Sequence, residues 1–348
     1  MIQRQLKLKL TKGQESSLLE WLPTLTSIWN WAVRKIEMDA HGGIYYTPID
    51  FQNLLAGTSK KLNIPSHTIQ GMLKLAHQSW GRCFKKLAKK PRLKGQRNRL
   101  NSIPFPDPIA KPQNFRIKIP GLGPVRYHKQ EIPDGKIKCA RIIKRASGWY
   151  LCLFIDAQPA AIPNLADGIV GIDPGYKHLL TLSTGEKIEH PKELQRTIHR
   201  VRQAQLGGNK KLVARLQERT SNQRKDRNHK LSRRLVSENA VIAFSKDNLR
   251  GLSRSGFGKS VAAASHGQLR AMLDYKSRTG GRQYLEVASH NSTRICSHCG
   301  AHTGPYGRAG LSVRQWECSA CGTHHDRDVN SAINTLIAAV GTTVERVA

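Results

Sequence analysis

Acid is scarce in this chain. Its 348 residues carry 24 Asp and Glu against 57 Lys and Arg, a formal charge of +33. Solubility needs a fraction of that excess, so the imbalance implies a long polyanionic partner, with nucleic acid as the default. Long apolar runs are also missing. No stretch approaches the length of a membrane span, and the cations are spread along the whole chain. That argues against a membrane as the partner. Met1 to Leu10 largely alternates polar and apolar residues and lacks the pattern of a secretory signal. Cysteines are few, and seven is an odd number. Cys83, Cys139 and Cys152 are scattered singles, and the other four form two Cys-x-x-Cys pairs. This fits a reducing cytosol with one metal site and not a disulfide framework.

The length allows two or three domains with real cores. Ile2, Leu6, Leu8 and Leu10 fall on one face of a strand over residues 2–10, with Arg4 the polar exception. Thr11 is placed to cap a helix whose apolar positions are Leu18, Leu22, Leu25, Ile28, Trp29, Ala32, Val33 and Ile36. Its tryptophans read as core and not as base-stacking platforms. Pro65-Ser66 opens a second helix with Ile69, Leu73, Ala76, Trp80, Phe84 and Leu87 on one face. Basic residues follow at its end, from Lys85 through Lys89, Lys90, Arg92 and Lys94 to Arg99. A basic run is often only a solvated face. At a helix end in so basic a chain, phosphate contact is the better reading, and it carries no sequence information.

Residues 103–160 change character. Prolines and glycines separate short β-like runs at 115–119, 125–127, 136–143 and 149–155, the pattern of a small barrel or strongly twisted sheet. The first strand can join it, leaving 11–100 as a helical insertion. Gln158–Ala166 reads as a linker. Residues 190–237 read as two helices broken at Gly207-Gly208. Arg224, Lys225, Arg227, His229, Lys230, Arg233 and Arg234 form a basic stripe suited to a duplex backbone. Strands follow at 240–245 and 283–287, with a glycine- and serine-rich loop at 251–259 and a helix over 262–278 between them. Gly258-Lys259-Ser260 lacks the upstream glycine spacing of a phosphate loop.

Two stretches carry chemistry. Cys296-Ser-His-Cys299-Gly and Cys318-Ser-Ala-Cys321-Gly are near-copies. Each places two thiolates on one tight turn, and together they predict a closed, tetrahedral, structural zinc site. His298 and His324 lie nearby, but four cysteines fill the shell. The other stretch is 167–184, an apolar strand interrupted by Asp173, a Pro174-Gly175 turn and a returning apolar run. A carboxylate at the end of a core strand must be paired, hydrogen-bonded or on a metal; its bland role is to start the turn. A second placed carboxylate, Asp328, falls in the first turn of a helix starting near Arg327, with Asp326 as N-cap. The two suggest a site for divalent cations of the kind that cleave phosphodiesters.

Taken in order, these segments resemble the TnpB family, compact transposon-encoded RNA-guided nucleases related to the type V CRISPR effectors. The most specific matches are Gly171-Ile-Asp173-Pro-Gly, the helix from Gly267 to Lys276, Ser292-Thr-Arg-Ile-Cys296 with the cysteines after it, and His325-Asp-Arg-Asp328-Val-Asn330-Ser-Ala. The resemblance implies an α+β multidomain fold. Residues 1–10 and 101–160 would form a wedge-like β-barrel, and 11–100 a helical recognition insertion. Residues 167–290 and 323–348 would form a RuvC-like (ribonuclease H-like) nuclease domain, interrupted by a zinc ribbon at 291–322. It further implies a cytoplasmic, nucleoid-associated prokaryotic protein. Its partners would be a guide RNA from the transposon end and double-stranded DNA beside a short flanking motif.

The family's metal site uses three acids. Asp173 matches the first and Asp328 the third, but Ser245 stands where the second, a Glu, is expected. A hydroxyl cannot replace a carboxylate that bridges two cations. Three readings follow: the acid has moved, to Glu286; the ligand is Asp247, by a two-residue shift; or the site is dead and the protein only binds DNA. Glu238 is a weaker candidate. Glu286 is the only charge within an apolar strand, so it is the choice, with Asp173, Glu286 and Asp328 holding two Mg2+ ions for hydrolysis.

Overall fold

The computed structural model describes residues 1–341 apart from 97, 159–160, 163–165, 191, 247–253, 255–257, 289, 308–309 and 311. The chain divides into two compact units, Met1–Pro159 and Ala160–Ala348.

The first unit begins with strand β1 (Ile2–Lys9) and helix α1 (Lys12–His41). Thr11 caps α1 in a reciprocal box: its hydroxyl accepts from the Gln14 amide N–H (3.2 Å), and Gln14 Oε1 accepts from the Thr11 N–H (3.1 Å). Leu18, Leu22, Leu25, Ile28, Ala32, Val33 and Ile36 are all buried. Two short helices that the apolar spacing did not reveal follow, α2 (Pro48–Asn53) and α3 (Ser59–Leu62). Helix α4 (Ser66–Phe84) buries Ile69, Leu73, Ala76 and Trp80. It stops before Leu87, which is exposed, because Lys86 turns into the left-handed region (φ +57°) and its N–H returns to Cys83 O. Strands β2 (Ser102–Phe105), β3 (Arg116–Ile119), β4 (Gly123–Tyr127), β5 (Lys136–Arg145) and β6 (Gly148–Asp156) complete the unit. With β1 they form one curled half-barrel sheet in the order β2-β5-β6-β1-β4-β3. Strand β1 makes the curl by pairing with β6 through Ile2 to Lys7 and with β4 through Leu8 and Lys9.

The second unit holds strands β7 (Gly168–Pro174), β8 (Leu180–Leu182) and β9 (Lys187–Ile188), then helices α5 (Lys192–Leu206) and α6 (Lys210–Glu238). The break between the helices falls at Gly207-Gly208, where Gly208 has φ +66°. Strand β10 (Asn239–Lys246), helices α7 (Gly258–Ala264) and α8 (His266–Thr279), and strand β11 (Gln283–Ala288) follow. The sheet order is β11-β10-β7-β8-β9, with β11, β10 and β7 parallel and β7, β8 and β9 antiparallel. The single helix expected over 262–278 is broken at Ser265, which is left-handed at φ +54°. The break is held by side chains of α6: Arg227 Nη2 donates to Ala264 O (2.6 Å) and Ser265 Oγ (2.9 Å), and Asn228 Nδ2 to Ser265 Oγ (3.0 Å). A two-stranded ribbon, β12 (Gln315–Glu317) and β13 (His324–Asp326), leads into helix α9 (Arg327–Val340).

Helices cover both faces of the five-stranded sheet. Val170, Ile172, Ile242 and Phe244 share a core with Leu231 and Leu235 of α6 and Leu269 and Leu273 of α8. The opposite face receives α9 so closely that a Cβ on Gly171 would lie 2.0 Å from Ala332 O. Among the described residues, no helix is long and apolar enough to cross a membrane.

Candidate active site and metal centre

Strand alternation decides which carboxylates can meet. Asp173 lies two residues after Gly171 and so shares the α9 face. There Ser331 Oγ of α9 lies 3.0 Å from Asp173 Oδ1 and 2.9 Å from Ser292 Oγ, joining the three side chains in one chain. Asp328 lies three residues before Ser331, hence on the same side of α9 one turn earlier. Asp326 caps the helix, as its sequence position suggests, accepting from the Asp328 and Val329 amides (3.1 Å each). Burial would raise the Asp326 carboxyl, but Lys187 at 2.6 Å and the Val329 and Asp328 amides together outweigh it and lower the pKa. Arg314 lies 3.4 Å and Arg327 3.7 Å from Asp328.

Glu286 does not join them. In register, Ile172 pairs with Phe244 and Phe244 with Glu286, so Glu286 points to the α6/α8 face, opposite Asp173. Arg270 of α8 holds it in a bidentate pair (2.9 and 2.6 Å), with Lys246 at 3.2 Å. The Arg270 bonds keep the Glu286 pKa low. The strand does not bury Glu286 as its apolar neighbours suggest: the residue is exposed at the sheet edge, and its charge is paired by Arg270 and Lys246. Ser245, one residue beyond Phe244, is on the Asp173 face; it is buried, and its hydroxyl has no partner among the described residues. Glu238 is exposed and lies 3.9 Å from Arg234. Asp247 lies outside the described residues.

The four cysteines do converge. Their sulfurs all lie within 4.8 Å of one another, the only such group of three or more ligands among the described residues. Cys296–Cys321 is 3.8 Å and Cys299–Cys318 3.6 Å. A tetrahedral zinc with bonds of about 2.3 Å needs sulfurs about 3.8 Å apart, so the donor set fits. The two turns repeat in detail. Cys296 and Cys318 donate to Ala301 O and Thr323 O and accept from Gly300 and Gly322, both at positive φ (+81° and +69°). The Thr303 hydroxyl donates to Cys318 Sγ (3.1 Å) and draws that thiol's pKa down. The imidazole of His325 lies against the cluster, with Nε2 3.0 Å from Cys296 Sγ. Its cross-strand pairing with Trp316, ring centroids 4.7 Å apart, places it there. The turn before Cys296 is clamped to α9: Asn330 Nδ2 donates to Ile295 O (2.8 Å), Asn334 Nδ2 to Ser292 O (2.8 Å), and Ser297 N–H to Asn330 Oδ1 (2.8 Å).

Known proteins resemble this chain. The family described as "Probable transposase" matches residues 156–255, and the "Cas12f1-like, TNB domain" family matches 266–335. A Streptomyces pristinaespiralis protein named "Putative RNA-guided DNA endonuclease" is 30% identical over 303 residues, covering 82% of this chain and 73% of its own. The chain belongs to the TnpB family. The Escherichia coli K12 relative of the same name with the suffix InsQ is 25% identical over 303 residues, covering 79% of this chain and 74% of its own. The fold extends to the Cas12f1 chain of a cryo-EM Cas12f1–sgRNA–target DNA complex, with a TM-score of 0.58 at 14% identity over 93% of this chain and 83% of that one.

The basic residues expected to meet nucleic acid in this TnpB chain are not equivalent. Lys89 and Arg92 are exposed, while Lys90 pairs with Glu37. Lys94 lies over the Trp29 ring (5.6 Å), and its backbone is gripped by Asn30 at both N–H (2.7 Å) and C=O (2.9 Å). The 224–234 stripe splits around α6. Lys225, Lys230 and Arg233 are exposed. Arg224 donates to Ala262 O, and Arg234 pairs with Glu186 at 2.9 Å. Arg227 turns inward to the Ser265 break, and burial, reinforced by Arg224, pulls its pKa down to about 10. Its role is structural, which helical spacing alone did not reveal.

Proposed function

We propose that the protein is an RNA-guided DNA endonuclease of the TnpB type, with a RuvC-like nuclease domain in its second unit. The observation that carries the reading is the pair Asp173 and Asp328, set on one face of the sheet by β7 and by the first turn of α9. Membership of the family supplies the guide RNA and the DNA target. In this reading residues 1–10 and 101–160 are the wedge-like barrel, 11–100 the recognition insertion, 167–290 with 323–348 the nuclease, and 291–322 the ribbon. Zinc on Cys296, Cys299, Cys318 and Cys321 is structural, since four thiolates leave no open position for substrate. The ribbon acts through Asn330, Asn334 and Ser331, which tie its base to the helix bearing Asp328.

A divalent cation such as Mg2+ on Asp173 and Asp328 would supply the Lewis acid for phosphodiester hydrolysis. The described residues fit one such ion and not two, because Ser245 occupies the row where a bridging carboxylate is needed. A second reading therefore has its own support: guided DNA binding without cleavage. The decisive experiment is cleavage of a guide-programmed plasmid library in Mg2+ by the wild type, Asp173→Ala and Asp328→Ala. Cutting by the wild type alone supports the endonuclease. No cutting, with guide-dependent retention of the same plasmids by all three, replaces it with the binder.

A further inference from the structure

The first unit carries a cationic surface separate from the basic run after α4. Lys9 of β1 stands directly opposite Arg126 of β4, and Arg126 opposite Arg116 of β3. Their strand neighbours Leu8, Val125, Tyr127 and Ile117 are buried, so alternation turns all three cations outward. Like charges directly opposite across strands destabilise a sheet. No Asp or Glu lines the groove they form, to which Lys118 and Lys129 add charge. Lys111 at its rim is paired with Asp134 (3.3 Å). Solvent screens part of this repulsion, and an anion lying across the row would turn it into attraction.

An aromatic ring stands beside the row. Phe115 is 48% exposed, with Lys129 Nζ 5.6 Å from its centroid and Tyr127 edge-on at 6.2 Å. Asn114 and Phe115 are both left-handed, at φ +48° and +56°. That backbone is disfavoured for a bulky side chain, and here it leaves the ring partly in solvent and not in the core. Strained residues of this kind cluster at functional sites, ligand clamps among them.

We propose that this groove binds an unpaired segment of a nucleic-acid strand, with phosphates on the Lys9–Arg126–Arg116 row and a base stacked on Phe115. At ordinary strand spacing the row spans about 10 Å, the scale of one backbone. A ring can accept only a base released from its own stack, which selects single strands over duplex. The site needs neither guide pairing nor cutting, so it stands or falls independently of the preceding reading.

The test uses the full chain freed of copurified RNA, without Mg2+. Its probes are 12-nucleotide strands carrying 5-iodouracil, as RNA and as DNA, and the corresponding DNA duplex. Many cations on this protein bind such strands, so the photoadduct is the site-specific readout. The expected result is an adduct mapped to residue 115 with single strands and little with duplex, kept in Phe115→Trp. In an Arg116→Gln/Arg126→Gln variant its yield falls about tenfold at physiological salt, and the slope of log K against log salt falls by about two. A higher yield with RNA identifies the guide as occupant, and a higher yield with DNA identifies an unpaired target strand. No adduct at Phe115 with either strand, or equal yield with duplex, overturns the proposal.

Discussion

His266 sits at the start of α8 with Nε2 3.0 Å from Leu179 O and a buried Nδ1 that has no partner among the described residues. Burial pulls its pKa down to about 4, with His190, Arg227 and Arg270 adding repulsion. The sign of the pH effect follows. Between about pH 6.5 and about pH 4 the unfolded imidazole is protonated and the folded one is neutral, so stability falls as pH falls. From pH 7 to pH 5 this histidine should cost the fold about 2 kcal/mol. Urea melts at the two pH values should show a loss smaller by about that amount in His266→Gln than in the wild type, the remainder coming from His190, His229 and His325, which are also held low. At Glu286 the prediction concerns activity. Because it faces Arg270 across the sheet from Asp173, Glu286→Gln should leave cutting unchanged while lowering stability by about 1 kcal/mol. Loss of cutting in a folded Glu286→Gln protein would restore it as the third acid.

Among elements, α9 has the largest influence on the site. It brings Asp328, carries the Ser331 contact to Asp173, and clamps the metal-centre turn through Asn330 and Asn334. It can approach only because position 171 has no side chain. Gly171→Ala should push α9 off the sheet at a cost of about 3 kcal/mol, seen as an earlier guanidinium midpoint together with lost cutting. The start of α9 was legible in the sequence, because Asp326 needs only local geometry to cap it. So were β1, α1, the Asp173 hairpin and the break at Gly207-Gly208, each written in a short window. Helices α2 and α3 were not, being too short to show a period. Nor was the break at Ser265, which depends on Arg227 and Asn228 reaching from a helix 37 residues away in sequence.

Across the whole molecule, charge and metal dominate. A net +33 predicts binding to any nucleic acid that weakens steeply with salt. With six to ten phosphates contacted, the affinity for a random duplex should drop by about a thousandfold or more between 50 and 200 mM salt, measured by anisotropy. The four-cysteine centre should hold one zinc per chain by atomic emission. A chelator should lower the melting temperature of the wild type and leave Cys318→Ser, already without metal, unmoved.

Composition, periodicity and cysteine spacing by themselves determined the anionic partner, most of the strands and long helices, the pairing of the four cysteines on two turns, and the elements that carry Asp173 and Asp328. These depend on charge and on contacts between residues near in sequence. Only the tertiary structure decided which face of the sheet each carboxylate takes. Register between β7, β10 and β11 is set by long-range pairing, and one residue of register moves a side chain from one face to the other. That single choice gives Glu286 to Arg270 and puts Ser245 on the Asp173 face, while the packing of α6 against the start of α8 turns Arg227 from the nucleic-acid stripe into the brace of a helix break.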